Sequence, residues 1–99
     1  MNKLSVKKWA KDNFVGSRLS GQLMRQEATK LLKYSKGILT IDFSGVEDVT
    51  QSSMDEFLGV LVRERGEQFL EEIEIVNAGK NIKAVVNFVL NYSLKHMAA

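Results

Sequence analysis

The sequence predicts a small α/β sandwich, with about three to four strands in a mixed or largely parallel sheet and three helices. Two apolar runs typical of strands, residues 38–43 and 73–76, are bounded by segments with helical periodicity. The connections between these segments are short, and no proline interrupts them. Strands and helices that alternate over short connections favour helices packed against a sheet containing parallel strands.

The length and composition predict one soluble domain, spanning residues 1–99, because a chain of this size supports one core. Hydrophobic residues make up 44% and charged residues 26%, as in ordinary globular proteins. No apolar run approaches the ~20 residues that span a membrane, and the basic N-terminal stretch lacks the apolar centre of a signal peptide. The chain has no cysteine, which excludes disulfides and thiolate metal sites. We therefore expect a cytoplasmic protein.

The first elements are a weak strand and a strong helix. Leu4 and Val6 indicate a short strand or lead-in among lysines. Ser17 suits the N-cap of the helix that follows, and Gly37 suits its stop. Gly21 costs this helix about 1 kcal/mol relative to alanine, which indicates a start nearer residue 20 or a close approach of another element. The helical stripe consists of Leu19, Leu23, Met24, Ala28, Leu31 and Leu32.

The second half of the chain predicts two strands and two helices. Residues 38–43, ILTIDF, place apolar side chains on both faces, the pattern of a strand covered on both sides. Val46 and Val49 should anchor the loop after it. A second helix ends near Gly66, and residues 73–76 form another strand before the break at residues 77–79. The stripe of the second helix consists of Met54, Phe57, Leu58 and Leu61.

The last helix is unusually apolar. It is either deeply packed, which we favour, or it offers Val89 and Tyr92 to another subunit. A homodimer is therefore a candidate assembly. The apolar residues of this helix are Ile82, Val85, Val86, Phe88, Val89, Leu90, Tyr92 and Leu94.

The turn before the second helix can be explained by helix capping. Ser53 and Glu56 have the S-x-x-E spacing of a capping box, which predicts Ser53 as the N-cap and Glu56 reaching back to it. Asp55 and Glu56 also complement the positive end of the helix dipole.

The same residues resemble a known family. Asp-Phe-Ser-Gly-Val at positions 42–46, followed by Thr-Gln-Ser-Ser at 50–53 and a helix, resembles the STAS domain of sulfate transporters and anti-sigma factor antagonists. The sequence is more similar still to the bacterial STAS-like domains of unknown function, in which the helix opens with Asp-Glu, as at Asp55 and Glu56. An arginine at the start of the first helix, here Arg18, also fits that family. The resemblance covers about residues 14–77.

The resemblance implies an α/β domain that acts by binding. In anti-sigma factor antagonists, a serine that follows an aspartate at the start of the second helix is phosphorylated by a kinase-type anti-sigma factor, which binds the unphosphorylated form. An ungapped overlay puts Thr50 at the aspartate and Gln51 at the phosphoacceptor. Ser52 and Ser53 are the substitutes after a shift of one or two positions. They are our candidate phosphoacceptors, and simple capping is the alternative.

The first functional hypothesis is a regulatory domain that docks a protein partner, such as an ATPase-type anti-sigma factor or a histidine-kinase-like protein, through the corner formed by residues 44–58. Reversing the charges of Asp55 and Glu56 should then abolish capture of the partner. Arg18 pairs with a turn carboxylate such as Asp42, or it contacts the partner. The candidate partner-binding residues are Ser44, Glu47, Asp48, Thr50, Gln51, Asp55, Glu56 and Arg18.

The second hypothesis is a nucleic-acid-associated factor. Residues 1–36 hold nine lysines and arginines against two acidic residues, whereas residues 37–76 hold ten acidic residues against two arginines. Such asymmetry is typical of a nucleic-acid arm, although it also arises when folding mixes the charges on a solvated surface. No aromatic residues are interleaved with a dense basic run, as they are in single-strand binders.

Catalysis is not expected. Nucleophilic serine chemistry needs a base, and the one histidine, His96, lies three residues from the C-terminus. Asp55 and Glu56 are adjacent on a helix and point about a hundred degrees apart, which does not suit shared acid–base work. No glycine-rich phosphate loop is present. We therefore predict no enzymatic activity, no cofactor, no metal site and no membrane association.

Overall fold

The computed structural model describes residues 2–96, and it confirms the predicted α/β class. Three of the helical segments, α2, a π-helical segment and α3, follow one another without a break and form one helix over residues 51–65. This helix is called α2–α3 below. The elements in chain order are β1 Lys3–Ser5, a 3-10 helix Val6–Trp9, β2 Phe14–Val15, α1 Arg18–Tyr34, β3 Leu39–Asp42, β4 Asp48–Val49, α2 Gln51–Met54, the π segment Asp55–Gly59, α3 Val60–Arg65, α4 Phe69–Glu72, β5 Ile73–Val76 and α5 Lys80–Lys95.

The strands form two small parallel sheets. The larger has the order β1-β3-β5, and β2 pairs with β4 in the smaller. In the larger sheet Leu4, Ile41 and Ile75 lie side by side and face the core. On the opposite face the neighbouring row is polar and holds Lys3, Thr40 and Glu74.

The prediction that the central strand is covered on both sides is therefore wrong. Only the core-facing residues of β3, Leu39 and Ile41, are fully buried apolar side chains. Ile38 lies before the strand and is 50% exposed. The sequence pattern misled because Ile38, whose side chain lies outside the core, was counted as part of the strand.

Helix α1 begins and ends close to the predicted positions. Ser17 is its N-cap and accepts a hydrogen bond from the backbone N–H of Ser20 at 3.0 Å. The helix ends at Tyr34 because Ser35 already has an extended backbone. The predicted stop, Gly37, lies two residues further on and has a φ of 100°, a left-handed conformation that suits glycine in the turn that follows. Of the two explanations offered for Gly21, the close approach is correct. A Cβ on this residue would lie 2.2 Å from the carbonyl oxygen of Ser53.

The core lies between the larger sheet and the helices. Helices α1 and α5 both pack on α2–α3, which is the central helix of the layer. The predicted loop anchors Val46 and Val49 are buried. Helix α5 is packed as favoured, because Val89 is only 2% exposed, but Tyr92 remains 49% exposed. Within residues 2–96, no helix is long and apolar enough to cross a membrane.

Asp42 connects three parts of the sheet. It ends β3 and accepts hydrogen bonds from the Asn77 side chain after β5, at 3.0 Å, and from the hydroxyl and backbone N–H of Ser44. The Lys3 ammonium of β1 lies 3.0 Å from its other oxygen. These groups, the Asn77 amide first, hold the pKa of the Asp42 carboxyl well below its usual range.

We expect Gly21→Ala to destabilise the fold. Alanine is preferred to glycine in helices by about 1 kcal/mol, but overpacking costs about 1–3 kcal/mol. The clash is with the backbone of the next helix, which cannot rotate away. Urea unfolding should show a net loss of about 1–2 kcal/mol. Gln22→Ala, on the exposed side of the same helix, is the control and should be nearly neutral. Equal stability of Gly21→Ala and the wild type would mean that α1 and α2 are not in close contact.

We also expect Asp42→Asn to lose stability in a pH-dependent way. Because the pKa of Asp42 is lowered on folding, its charge stabilises the fold above the ordinary value near 3.8, and this contribution fades as the pH falls below it. The urea midpoint of the variant should lie below that of the wild type at neutral pH, and the difference should narrow at about pH 3. Glu74→Gln removes a carboxylate from the same sheet face and should show no comparable narrowing. A difference for Asp42→Asn that is the same at both pH values would contradict the assigned network.

Candidate functional site

The candidate site is built around the start of α2. Strand β4 leads directly into Thr50, which is the N-cap of this helix and accepts a hydrogen bond from the backbone N–H of Ser53 at 3.1 Å. The Thr50 hydroxyl donates to the carbonyl of Gly16 at 2.8 Å. The same hydroxyl lies 3.3 Å from that of Ser52, which is therefore the donor between the two. The cap ties the helix to the end of β2.

The predicted capping box is wrong, because the N-cap is Thr50, about one helical turn before the predicted Ser53. Ser53 lies inside the helix and not at its cap, and its side chain is fully buried. Its hydroxyl lies 3.1 Å from the carbonyl of Val15 and 2.9 Å from that of Thr50, within hydrogen-bond reach of both. Thr50 takes the capping role because its hydroxyl can also bond Gly16, a contact that a local sequence motif does not reveal. Glu56 does not reach back to the cap.

The π segment directs two acidic side chains towards three arginines. The two carboxylate oxygens of Glu56 lie 3.2 Å from the Arg18 guanidinium and 3.0 Å from the Arg25 guanidinium. The Arg25 guanidinium also donates a hydrogen bond to the Glu56 backbone carbonyl. Asp55 lies 2.9 Å from Arg63 and 4.0 Å from Arg18. Short π segments recur at functional sites, where an extra residue in one turn re-aims side chains.

This charge network joins all three large helices. Arg63 of α3 also donates to the hydroxyl of Ser93 on α5 at 3.0 Å, and Ser93 is fully buried. The pairing of Arg18 with Asp42, one of the two roles proposed for Arg18, is wrong, since Asp42 pairs with Lys3. Charge reversal of Asp55 and Glu56 would therefore break the packing of α1 on α2–α3, and it cannot isolate partner binding.

A cleft of about 380 Å³ opens beside this network. One wall comes from Arg18 and the first residues of α2, and the other comes from α5. Arg18 is well placed to meet a ligand because its side chain is 62% exposed. The residues that line the cleft are Arg18, Gln51, Ser52, Asp55, Phe88, Val89 and Tyr92.

The structure brings together some of the predicted site residues and separates others. Of the candidate phosphoacceptors, Ser52 lines the cleft, whereas folded Ser53 has no surface that a kinase can reach. Ser44, Glu47 and Asp48 lie outside the cleft: the first two are in the connection between β3 and β4, and Asp48 is the first residue of β4. Ser44 is engaged with Asp42, and the backbone N–H of Glu47 donates to Asn13. Thr50 is the cap beneath the cleft. Partner binding by these residues stays a prediction.

Sequence reasoning found only part of the α5 wall of the cleft: Val89 and Tyr92, named as the residues that α5 would offer to another subunit, both line it, whereas Phe88 was not singled out. Phe88 and Tyr92 are 51% and 49% exposed, and their rings stack with centroids 6.0 Å apart. The excess of apolar residues on α5 was the available signal, but it did not single out Phe88. Arg25 and Arg63 were also missed, because ion pairs between distant positions leave no local pattern.

Comparison with protein families identifies the chain. The family model described as a STAS-like domain of unknown function (DUF4325) matches residues 20–83. The chain therefore belongs to this STAS-like family. No curated protein and no solved structure gives a significant match.

The two arginines that contact Glu56 should contribute very differently to stability. Arg25 is only 21% exposed and bonds both the Glu56 side chain and backbone, so Arg25→Ala should cost about 2–3 kcal/mol. Arg18→Ala should cost less than about 1 kcal/mol, because the pair is exposed. Urea unfolding of both variants measures the difference. Equal losses in the free energy of unfolding would contradict the assignment of Arg25 to helix packing and of Arg18 to the surface.

Proposed function

We propose that this STAS-like domain is a non-enzymatic regulatory module that docks a partner protein at the cleft between α2 and α5. The main support is the cleft itself. It combines an exposed arginine, two polar residues at the start of a helix and two half-exposed aromatic rings. Aromatic residues and arginine are the side chains most enriched at the centres of protein interfaces.

The chemistry of the cleft supports binding over turnover. Its one carboxylate, Asp55, is already paired with Arg63, so it is poorly suited to exchange protons with a substrate. The imidazole of His96 lies tilted against the Tyr92 ring, with centroids 4.2 Å apart, at the end of α5. It is not among the residues that line the cleft with Ser52, so no imidazole is placed to activate this serine.

Ser52 is the proposed site of regulation. Its phosphorylation would add about −1.5 to −2 charges at the wall of the cleft. Arg18, on the same cleft, would attract that charge, whereas Asp55 would repel it. A partner fitted to the unmodified cleft would meet a changed potential and bind more weakly. The kinase or ATPase character of the partner is carried over from the family resemblance.

The nucleic-acid hypothesis has less support. Lys3 is held by Asp42, and the Lys8 ammonium lies over the Trp9 ring, 5.3 Å from its centroid. Some of the lysines in the basic N-terminal segment are therefore engaged in contacts within the fold. Of the remaining lysines, Lys33 lies over the exposed Tyr34 ring, 5.4 Å from its centroid. One ring beside one lysine is less than the successive platforms on which single-strand binders stack bases.

The test is affinity capture from a lysate of the native host with ATP present. Wild type and Ser52→Ala should retain the same ATPase-type or kinase-type protein. The amount of this protein captured by Ser52→Glu should be about tenfold lower. Peptide mass spectrometry of the recovered wild type should find phosphate on Ser52. Gln68→Glu, which adds a negative charge at the residue before α4 and outside the cleft, is the control and should capture normally.

Two results would overturn the proposal. Undiminished capture by Ser52→Glu would mean that the partner does not contact the cleft wall. Recovery of nucleic acid in place of a protein, with a steep loss of binding as salt rises, would favour the basic N-terminal face.

A further inference from the structure

Helix α5 presents a column of aromatic rings along one side of its exposed face. Phe88, Tyr92 and His96 follow one another at intervals of four residues, and successive ring centroids lie 6.0 Å and 4.2 Å apart. Four-residue spacing places side chains one above the other on a helix. The column is about 12 Å long. Its first two rings also form the α5 wall of the cleft, so the column continues that cleft along the helix.

The rest of the exposed face of α5 is basic or neutral. Between residues 80 and 96 there is no acidic residue, and Lys80, Lys83 and Lys95 are all exposed. Within the described residues these three lysines make no salt bridge. Helical spacing puts Lys95 next to Tyr92, three residues away, and on the same side of the helix as Phe88, about two turns further along. Arg18, on the opposite wall of the cleft, supplies a further exposed cation.

We propose that the partner binds here through an acidic amphipathic helix laid along α5, with its apolar side on the rings and its carboxylates on the flanking cations. This inference rests on the proposed function, because it names the chemistry of the partner at the same cleft. Helices that lie in such grooves use anchors spaced at i, i+3, i+4 and i+7, which matches a column of rings one helical turn apart. Carboxylates on both sides would meet Arg18 and Lys95.

The charges argue against other occupants. A two-fold dimer through α5 would bring the lysines of one copy against those of the other, and juxtaposed like charges oppose association. A single nucleic-acid strand would find cations, but the three rings lie close together along one side of a single helix, with successive centroids 6.0 Å and 4.2 Å apart, and do not stand apart as separate base platforms.

The experiment is a display selection with random peptides as long as α5, 16 residues, on the immobilised full chain. The enriched peptides should be acidic, with apolar residues at i, i+3 or i+4, and i+7. Fluorescence polarisation of the best peptide should show about tenfold weaker binding to Tyr92→Ser, since aromatic residues at interface centres dominate affinity. Tyr34→Ser removes a tyrosine that is 75% exposed on α1 and should bind normally. Lys95→Glu, which disturbs no packing, should also bind weakly.

Every other result overturns the proposal. Enriched peptides that are basic, that lack the helical spacing, or that bind Tyr92→Ser and Lys95→Glu as tightly as the wild type exclude an acidic helix on α5. Tight binding of labelled oligothymidine that Tyr92→Ser abolishes would assign the face to nucleic acid. A dimer in sedimentation that Tyr92→Ser dissociates would assign it to a second copy. If the selection fails but capture remains sensitive to Ser52→Glu, the docking function stands and only the partner's chemistry is wrong.

Discussion

The arrangement of the helices depends on the contact between Gly21 of α1 and the carbonyl of Ser53 in α2. Because glycine has no Cβ, the two helices approach more closely there than any other residue would allow. The approach has a second consequence further along α1. One turn later, Arg25 is close enough to bond both the backbone and the side chain of Glu56. Because Gly21 has no Cβ, α1 lies close to α2, and this places Arg18 at the wall of the cleft.

Hydrogen bonds to the end of β2 also fix the first turn of α2. The buried hydroxyl of Ser53 reaches the carbonyl of Val15, and the Thr50 hydroxyl donates to Gly16. Both carbonyls belong to the end of the small β2–β4 sheet or the residue after it. A helix held by its own cap and by a neighbouring strand has little freedom to shift at this end. The cleft is thus a largely preformed surface, which lowers the entropic cost of binding.

Local and periodic signals predicted much of the fold. The boundaries of α1, the strand at residues 73–76 and the apolar stripe of α2–α3 follow from spacing, caps and glycine. The two-residue strands β2 and β4 were not predicted, because strands so short carry no alternation. The N-cap was misplaced because Ser53 and Glu56 match a capping motif locally. Thr50 is the N-cap instead, and its hydroxyl is held by a hydrogen bond to Gly16, 34 positions away in the sequence. In the α5 wall, Phe88 was not singled out for the same reason, since its exposure depends on what α2 leaves uncovered.

The geometry of one helical turn decides which of the candidate phosphoacceptors can be reached from solvent. Successive residues of a helix point about 100° apart, so residues 51–53 cannot all face the same way. Gln51 and Ser52 both line the cleft, whereas Ser53 faces the core. The overlay with anti-sigma factor antagonists puts the acceptor position at Gln51. A shift of one residue, to Ser52, stays within the cleft, but a shift of two residues, to Ser53, would bury the acceptor. Of the two candidate phosphoacceptors, packing therefore leaves only Ser52 accessible.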